Sequence, residues 1–429
     1  MTVVPMTTDH SVSRRTLLLA AGGAASVHPT LARAAQSTPR LTEVDVFPLD
    51  ALHNHASCVV ECPNGDLLVS WYRGSGERTA DDVRILGSRL RRGARDWSAP
   101  FLLADTPGFP DCNPAMIIDP SRKLWLFWPL IIANQWHTAL LMHQTSTRYQ
   151  GGDPPRWTAP SPVLFKPAAD FGSRVSAAVD DDLKHLNRFP GETRERVREY
   201  LELRRKNGGD TYFSRMGWMP RAHPYVHEGK RMIVPLYSDG YDFSIMAITD
   251  DWGATWRAST PLIGNGPVQP SIARKRDGGL TAYFRDNGTP PQRLLVSESS
   301  DGGLTWTPPR DSDVFNPGSG AEVITLRDGA WALINNDTER GRHRLAVSIS
   351  TDEGKSWRWT RHLVNAPSPE GAASGGYPSL IETRDGMLHA TYTYNPADKD
   401  VKTDAQGRRL RATIRHAAFN REWVMAGDG

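Results

Sequence analysis

One motif recurs at a fixed interval, and that periodicity constrains the fold more than any other feature of the chain. Thr249-Asp250-Asp251-Trp252-Gly253-Ala254-Thr255-Trp256, Ser299-Ser300-Asp301-Gly302-Gly303-Leu304-Thr305-Trp306 and Ser350-Thr351-Asp352-Glu353-Gly354-Lys355-Ser356-Trp357 all fit S/T-x-D-x-G-x-S/T-W. Their third-position aspartates, Asp251, Asp301 and Asp352, lie 50 and 51 residues apart. Self-similarity at such a period marks a repeat architecture. Each copy follows an alternating, strand-like run: Ser244–Ile248, Arg293–Ser297 and Leu345–Ile349. The motif therefore reads as a hairpin clamp. Its Asp accepts backbone N–H groups across the turn, its Gly takes a positive φ, and its Trp packs between neighbouring sheets. On this reading the repeated aspartates are structural, not catalytic.

Degenerate copies extend the series. Ser88 to Trp97 and Ser146 to Trp157 keep the ends of the motif, and Trp423 closes the last hairpin. A second marker is a turn between two strands: Asn64-Gly65, Ser121-Arg122, Glu228-Gly229, Asp277-Gly278, Asp328-Gly329 and Asp385-Gly386. Together they predict an all-β fold, a six-bladed β-propeller over residues 41–425 with about four strands per blade. The strand Leu41–Phe47 is expected to join the last blade and close the ring. Roughly 66 residues per blade exceed the usual ~40–50. The excess is largely one insertion at about 166–216, which holds Asp180-Asp181-Asp182 and the Glu- and Arg-rich run Glu192–Lys206. It predicts one or two surface helices beside the propeller mouth, serving either as a solvated decoration or as a substrate lid.

Residues 1–35 have the form of a secretory leader. Arg14-Arg15 precedes a short apolar run, and Ala32-Arg33-Ala34 offers a small-x-small cleavage site. The paired arginines point to twin-arginine export and a periplasmic or secreted protein. No later segment approaches the apolar length of a membrane span, so no membrane insertion is expected. The 51 Lys+Arg against 48 Asp+Glu give +3, of which +2 belongs to the leader. A near-neutral mature chain lacks the basic face of a nucleic-acid binder. Cys58, Cys62 and Cys112 are too few for a disulfide scaffold and read as small core residues.

Several blade openings carry polar side chains: His53-Asn54-His55-Ala56-Ser57, Asn113-Pro114, Arg221-Ala222-His223-Pro224, Pro267-Val268-Gln269-Pro270 and Gly376-Tyr377-Pro378. In a propeller these starts converge around the central axis at one mouth, which makes Asn113 and His223 candidate substrate-binding residues. Asn316-Pro317-Gly318-Ser319-Gly320 is expected to form a loop at the same mouth, with Ser319 placed to bond a substrate hydroxyl. His53 and His55 share a strand face, but no third ligand accompanies them. No metal and no cofactor are expected.

These boxes, and the residues between them, resemble the sialidase (neuraminidase) superfamily, and within it the bacterial BNR/Asp-box sialidase-like proteins, over roughly residues 50–425. The resemblance implies a carboxylate held by three arginines, a Tyr nucleophile assisted by Glu, and an Asp acid/base; sialidases depart from the two-carboxylate rule of most glycosidases. An anionic sugar acid calls for a planar, bidentate cation, which Arg supplies. Arg285, in Tyr283-Phe284-Arg285, matches the family's second arginine. Arg342 matches the third, with Arg340 and Arg344 as rivals. Tyr377 falls at the nucleophile motif, and Glu77, Asp81 and Asp82 lie in the loop of the acid/base. His55 stands in place of the first arginine and Gln269 in place of the assisting glutamate. The implied function is an exo-acting glycosidase removing a terminal acidic sugar from a glycan. The residues leave two alternatives open: a lyase eliminating at a uronate through His55 or Tyr377, and a glycan-binding propeller without activity.

Overall fold

A computed structural model describes residues 38–428; the leader read over residues 1–35 lies outside them. Six antiparallel sheets form the blades, with inner strands His53–Glu61, Ala115–Ile118, Pro267–Arg274, Glu322–Thr325 and Ser374–Glu382 in blades one, two, four, five and six. Blade three differs. Its inner strand is broken into Met219–Pro220 and Tyr225–His227, both paired with Arg231–Ser238, and Arg221 to Pro224 bridge the gap. Leu41–Asp45 pairs with Thr413–Phe419 and so supplies the outer strand of blade six, closing the ring with the N-terminal segment.

The repeated boxes clamp the outer hairpins as their chemistry requires. Asp251 accepts from the backbone N–H and hydroxyl of Thr255 at 2.8 and 2.6 Å. Asp301 does the same with Thr305 at 3.0 and 2.6 Å, and Asp352 with Ser356 at 2.9 and 2.6 Å. Gly253, Gly303 and Gly354 all have positive φ. The closing tryptophans reach back to the preceding blade. Trp256 meets Phe127 of blade two edge-on at 6.0 Å, and Trp357 meets Tyr283 of blade four at 6.0 Å. Trp97 stands edge-on to His416 at 5.2 Å across the junction of blades one and six. Trp423 differs from expectation: it lies in a short helix, Arg421–Met425, and packs on Phe419 at 5.1 Å instead of closing a hairpin. Asn420 caps that helix by accepting from the Trp423 N–H, which turns the chain out of the strand.

The insertion folds as three helices: α1 (Phe171–Lys184), α2 (Gly191–Gly208) and α3 (Thr211–Arg215). Phe171 and Val175 bury against Trp218, Tyr241 and Phe243 of blade three, while Val179, Leu186 and Leu201 join the helices to one another. A Cβ on Gly208 would stand 2.8 Å from the Val175 side chain, so glycine lets the end of α2 close onto α1. Cys58, Cys62 and Cys112 are buried and unbridged. Among the described residues no helix is long and apolar enough to cross a membrane.

Blade six carries a buried pair of imidazoles. His389 Nδ1 and His416 Nε2 lie 2.9 Å apart in rings only 3° from coplanar, so one ring donates to the other. Burial lowers both pKa values, that of His416 to about 3 with help from His389. The unfolded chain titrates near 6.5, so this contribution to stability is complete above that pH and is lost as pH falls toward the folded value. Lowering the pH from about 7 to about 5 is expected to reduce the wild-type melting temperature more than that of His416→Phe. Parallel shifts in the two proteins would contradict this assignment.

Candidate active site

The inner strands begin at one mouth, and there the backbone repeats an unusual conformation. Ala56, Asn113, Gln269 and Tyr377 all have positive φ, between 39° and 55°. Three of them sit at breaks in register, between His55 and Cys58, Val268 and Ser271, and Gly376 and Ser379. A bulge re-aims a side chain that a regular strand would direct into the sheet. Asn113, Gln269 and Tyr377 are each followed by proline, which has no N–H to leave unpaired where the ladder is interrupted. A left-handed non-glycine residue costs about 1–3 kcal/mol, so four of them at equivalent places mark a constraint on the mouth.

Tyr377 stands at the centre. Its hydroxyl accepts from Arg285 Nη1 at 2.7 Å and from Gln269 Nε2 at 3.5 Å. The guanidinium of Arg342 lies 4.8 Å from the ring centroid and that of Arg221 5.2 Å from it, while the His55 ring is 4.2 Å away. A Cβ on Gly376 would come within 2.9 Å of Arg342, and one on Gly320 within 3.1 Å of Gln269 Oε1; both glycines admit this approach. Burial by itself would raise the phenol's pKa, yet Arg285, Arg342, Gln269 and Arg221 outweigh it and bring Tyr377 below 10. Among the described residues, the buried Gln269 Oε1, Ser319 Oγ and Arg285 Nε have no hydrogen-bond partner.

A second arc faces this group. Glu77 accepts from the Tyr72 hydroxyl at 2.9 Å and lies 3.3 Å from His53 Nε2; the His53 bond, against the cost of burial, brings Glu77 to about 2. Asn113 Nδ2 donates to the Tyr237 hydroxyl at 3.3 Å. Asp239 is exposed on the turn after Arg231–Ser238, within the field of Asp242, Arg285, Arg78 and Glu77. Desolvation and the charge of Asp242 raise it to about 6, against the pull of Arg285 and Arg78.

The chain matches the model of the BNR repeat-like domain over residues 65–179 and 201–390, more than half its length. It belongs to that family. No curated protein matches it. In fold it is similar to a protein of unknown function from Dyadobacter fermentans DSM 18053, with a TM-score of 0.62 and 14% identity over 89% of this chain and 99% of the other. It is similar also to the leech intramolecular trans-sialidase, with a TM-score of 0.63 and 12% identity over 90% and 71% of the two chains. The intramolecular trans-sialidase from Ruminococcus gnavus gives 0.60 and 13% over 89% and 96%. Identities this low establish a shared sialidase-like fold, and the chemistry has to be argued from the site.

Within this BNR repeat-like propeller, the structure gathers Tyr377, Arg285, Arg342, His55, Gln269 and Ser319 in one place, with Glu77 and Asn113 on the facing arc. Of Arg340, Arg342 and Arg344, it is Arg342 that lies over the tyrosine ring; Arg344 is engaged by Asp337 at 3.1 Å. Asp81 and Asp82 are not brought to Tyr377. Asp81 accepts from Asn134 Nδ2 at 3.0 Å, and Asp82 is bound by the backbone and hydroxyl of Ser75. His223 is likewise displaced from the expected substrate surface. Its Nδ1 faces Glu322 Oε1 and its Nε2 faces the Val59 carbonyl, both at 2.7 Å, so both nitrogens are engaged beneath the mouth. His55, 7% exposed, is lowered well below 6.5 by burial and then by Arg342. A neutral imidazole cannot supply the charge of a missing arginine. Arg221 brings a third guanidinium instead, held by the Ser57 and Pro378 carbonyls. Arg221 and Asp239 were not predicted from sequence. Arg221 opens the same Arg-Ala-His-Pro run as His223, a signal that was present.

The arrangement sets a titration. Difference absorbance between wild type and Tyr377→Phe should reveal a phenol ionising below 10, and Arg342→Leu should move that midpoint upward. A Tyr377 midpoint at or above 10 in the wild type would contradict the geometry described.

Proposed function

We propose that the protein is an exo-acting glycoside hydrolase of the sialidase type, which removes a terminal acidic sugar from glycans. The observation that carries this reading is the convergence of Arg285, Arg342 and Arg221 on the Tyr377 phenol. Arg342, which lies over the Tyr377 ring, and Arg285, which reaches the Tyr377 hydroxyl, hold the substrate carboxylate. Arg221 is tied to backbone carbonyls below and acts as a fixed positive charge under the ring. The Tyr377 oxygen attacks the anomeric carbon as the bond to the leaving alcohol breaks, forming a tyrosyl glycoside; water then cleaves it and releases the sugar acid. No carboxylate is needed to activate the phenol where cations already favour its ionised form. That accounts for Gln269 at the position of an assisting glutamate.

The leaving oxygen needs a proton. Asp239, raised to about 6, is the carboxyl suited to donate it, in preference to Asp81, which is held by Asn134 of the neighbouring blade, and Asp82, which is held by Ser75. Glu77 stays ionised and orders His53 and Tyr72. Ser319, fully buried, and Asn113, whose Nδ2 bonds Tyr237, support the mouth from behind and do not face the sugar. Export by the twin-arginine leader puts this activity outside the cytoplasm.

A second reading is favoured by the same absence of a carboxylate beside Tyr377. A phenol whose ionisation the arginines favour, with neutral His55 against it, can take the proton next to a uronate carboxylate and eliminate the substituent. One panel separates the two. Sialylated and uronate-containing glycans are incubated with wild type and Tyr377→Phe, and released sugar and unsaturated-uronate absorbance are followed together. Release of an intact acidic sugar is expected, reduced by roughly 10²–10⁴-fold in the variant. New absorbance with chain cleavage would replace hydrolysis by elimination, and glycan binding with neither product would leave a non-catalytic propeller.

A further inference from the structure

The insertion touches the reactive group through an unbroken series of hydrogen bonds. On α2, Arg204 is 4% exposed and its Nη2 donates to the Tyr200 hydroxyl at 2.8 Å. Tyr200 in turn donates to Asp242 Oδ2. The other Asp242 oxygen accepts from Asn287 Nδ2 at 2.7 Å. Asn287 Oδ1 accepts from Arg285 Nη2 at 3.1 Å, and Arg285 Nη1 donates to Tyr377 at 2.7 Å. Every link has one donor and one acceptor, and the carboxylate on one side and guanidinium on the other fix which way the Asn287 amide faces.

A second pair of bonds holds the turn that carries Asp242. The Tyr241 hydroxyl donates to the Asn207 carbonyl at 2.8 Å, and Asn207 Nδ2 donates to the Gly240 carbonyl at 3.2 Å. Asp242 itself has φ 52°, a left-handed conformation that persists only where the surroundings over-determine it. Asn207 is 4% exposed, so α2 grips this turn from a buried position. Neither a solvated decoration nor a lid needs to bond the turn beneath it in this way.

We propose that the insertion is a buttress of the arginine clamp: Tyr200 on α2, acting through Asp242 and Asn287, is a positioning residue that fixes the orientation of Arg285 toward Tyr377. The role assigned to Arg285 rests on the hydrolase reading above, but the positioning itself can be measured without a substrate. The readout is the Tyr377 titration midpoint, taken as the difference between each protein and its Tyr377→Phe counterpart, for full-length wild type, Tyr200→Phe and Asn287→Ser. Both variants are expected to raise the midpoint, because Arg285 loses its anchor. On an acidic-glycan substrate they are expected to lower kcat/KM by about 10- to 100-fold, as a misplaced catalytic contact does. Melting temperatures accompany each measurement. Asn287→Ser leaves the helix packing intact, so it reads the relay even if Tyr200→Phe loosens α2. A midpoint unchanged in both variants, with wild-type melting, would overturn the proposal. A raised midpoint in proteins that hydrolyse no glycan would uphold the positioning and remove the hydrolase reading alone.

Discussion

Three guanidiniums crowd one phenol, and the molecule around them is arranged so that they can stay there. Like charges in a partly desolvated mouth repel one another, and each must be compensated or tethered. Arg221, 3% exposed, is tethered by two backbone carbonyls and lies within the field of Glu322. Glu322 is itself bound by the His223 imidazole and backbone and by the Leu380 N–H at 2.7 Å. Because His223 also meets the Val59 carbonyl of blade one, this buried group links blades one, three, five and six beneath the reactive tyrosine. Arg285 is compensated from the other side by Asp239 and Asp242, on the turn that α2 grips. The cation cluster therefore depends on the closed ring, the broken inner strand of blade three and the insertion together.

The blade count was legible because the box and turn signals are local. An Asp four residues before a Ser or Thr, a glycine with positive φ and a closing Trp need no knowledge of the rest of the chain. In the insertion, α2 was legible from the charge spacing of Glu192–Lys206, but the expected one or two helices are three, and the short α3 carried no such spacing. Trp423 was misplaced because Asn420 caps a helix there, and a lone Trp carries no sign of which element holds it. In the mouth, the motif positions of Tyr377, Arg285 and Arg342 could be found in order along the chain. Arg221 and Asp239 could not. Arg221 meets Tyr377 only because two blades far apart in sequence share an axis, and Asp239 of blade three comes under the influence of Arg285 only because blade four packs beside it. Asp81 and Asp82 had the expected loop and charge, but Asp82 is bound by Ser75 nearby and Asp81 by Asn134 of the next blade, which sequence order does not report.

The substitution of Gln269 for a carboxylate then has a physical consequence. A tyrosine beside a glutamate would be activated by proton removal, whereas here positive charge from Arg285 and Arg342 lowers the phenol's pKa. Such a phenol is most nucleophilic when the arginines are unoccupied, and an incoming carboxylate competes with it for the same charge. Anion binding and tyrosine ionisation must oppose each other, and linkage makes the effect reciprocal.

That opposition gives the most direct measurement of the central claim, that Tyr377 and a sugar carboxylate share one arginine clamp. Calorimetry would record the affinity of wild type and Tyr377→Phe for N-acetylneuraminate and glucuronate, at neutral pH and above the tyrosine's titration. The account requires wild-type affinity for a sugar acid to fall as pH rises through that titration, and the dependence to vanish in Tyr377→Phe. Binding with the same pH dependence in both proteins, or no binding of either acid, would contradict it.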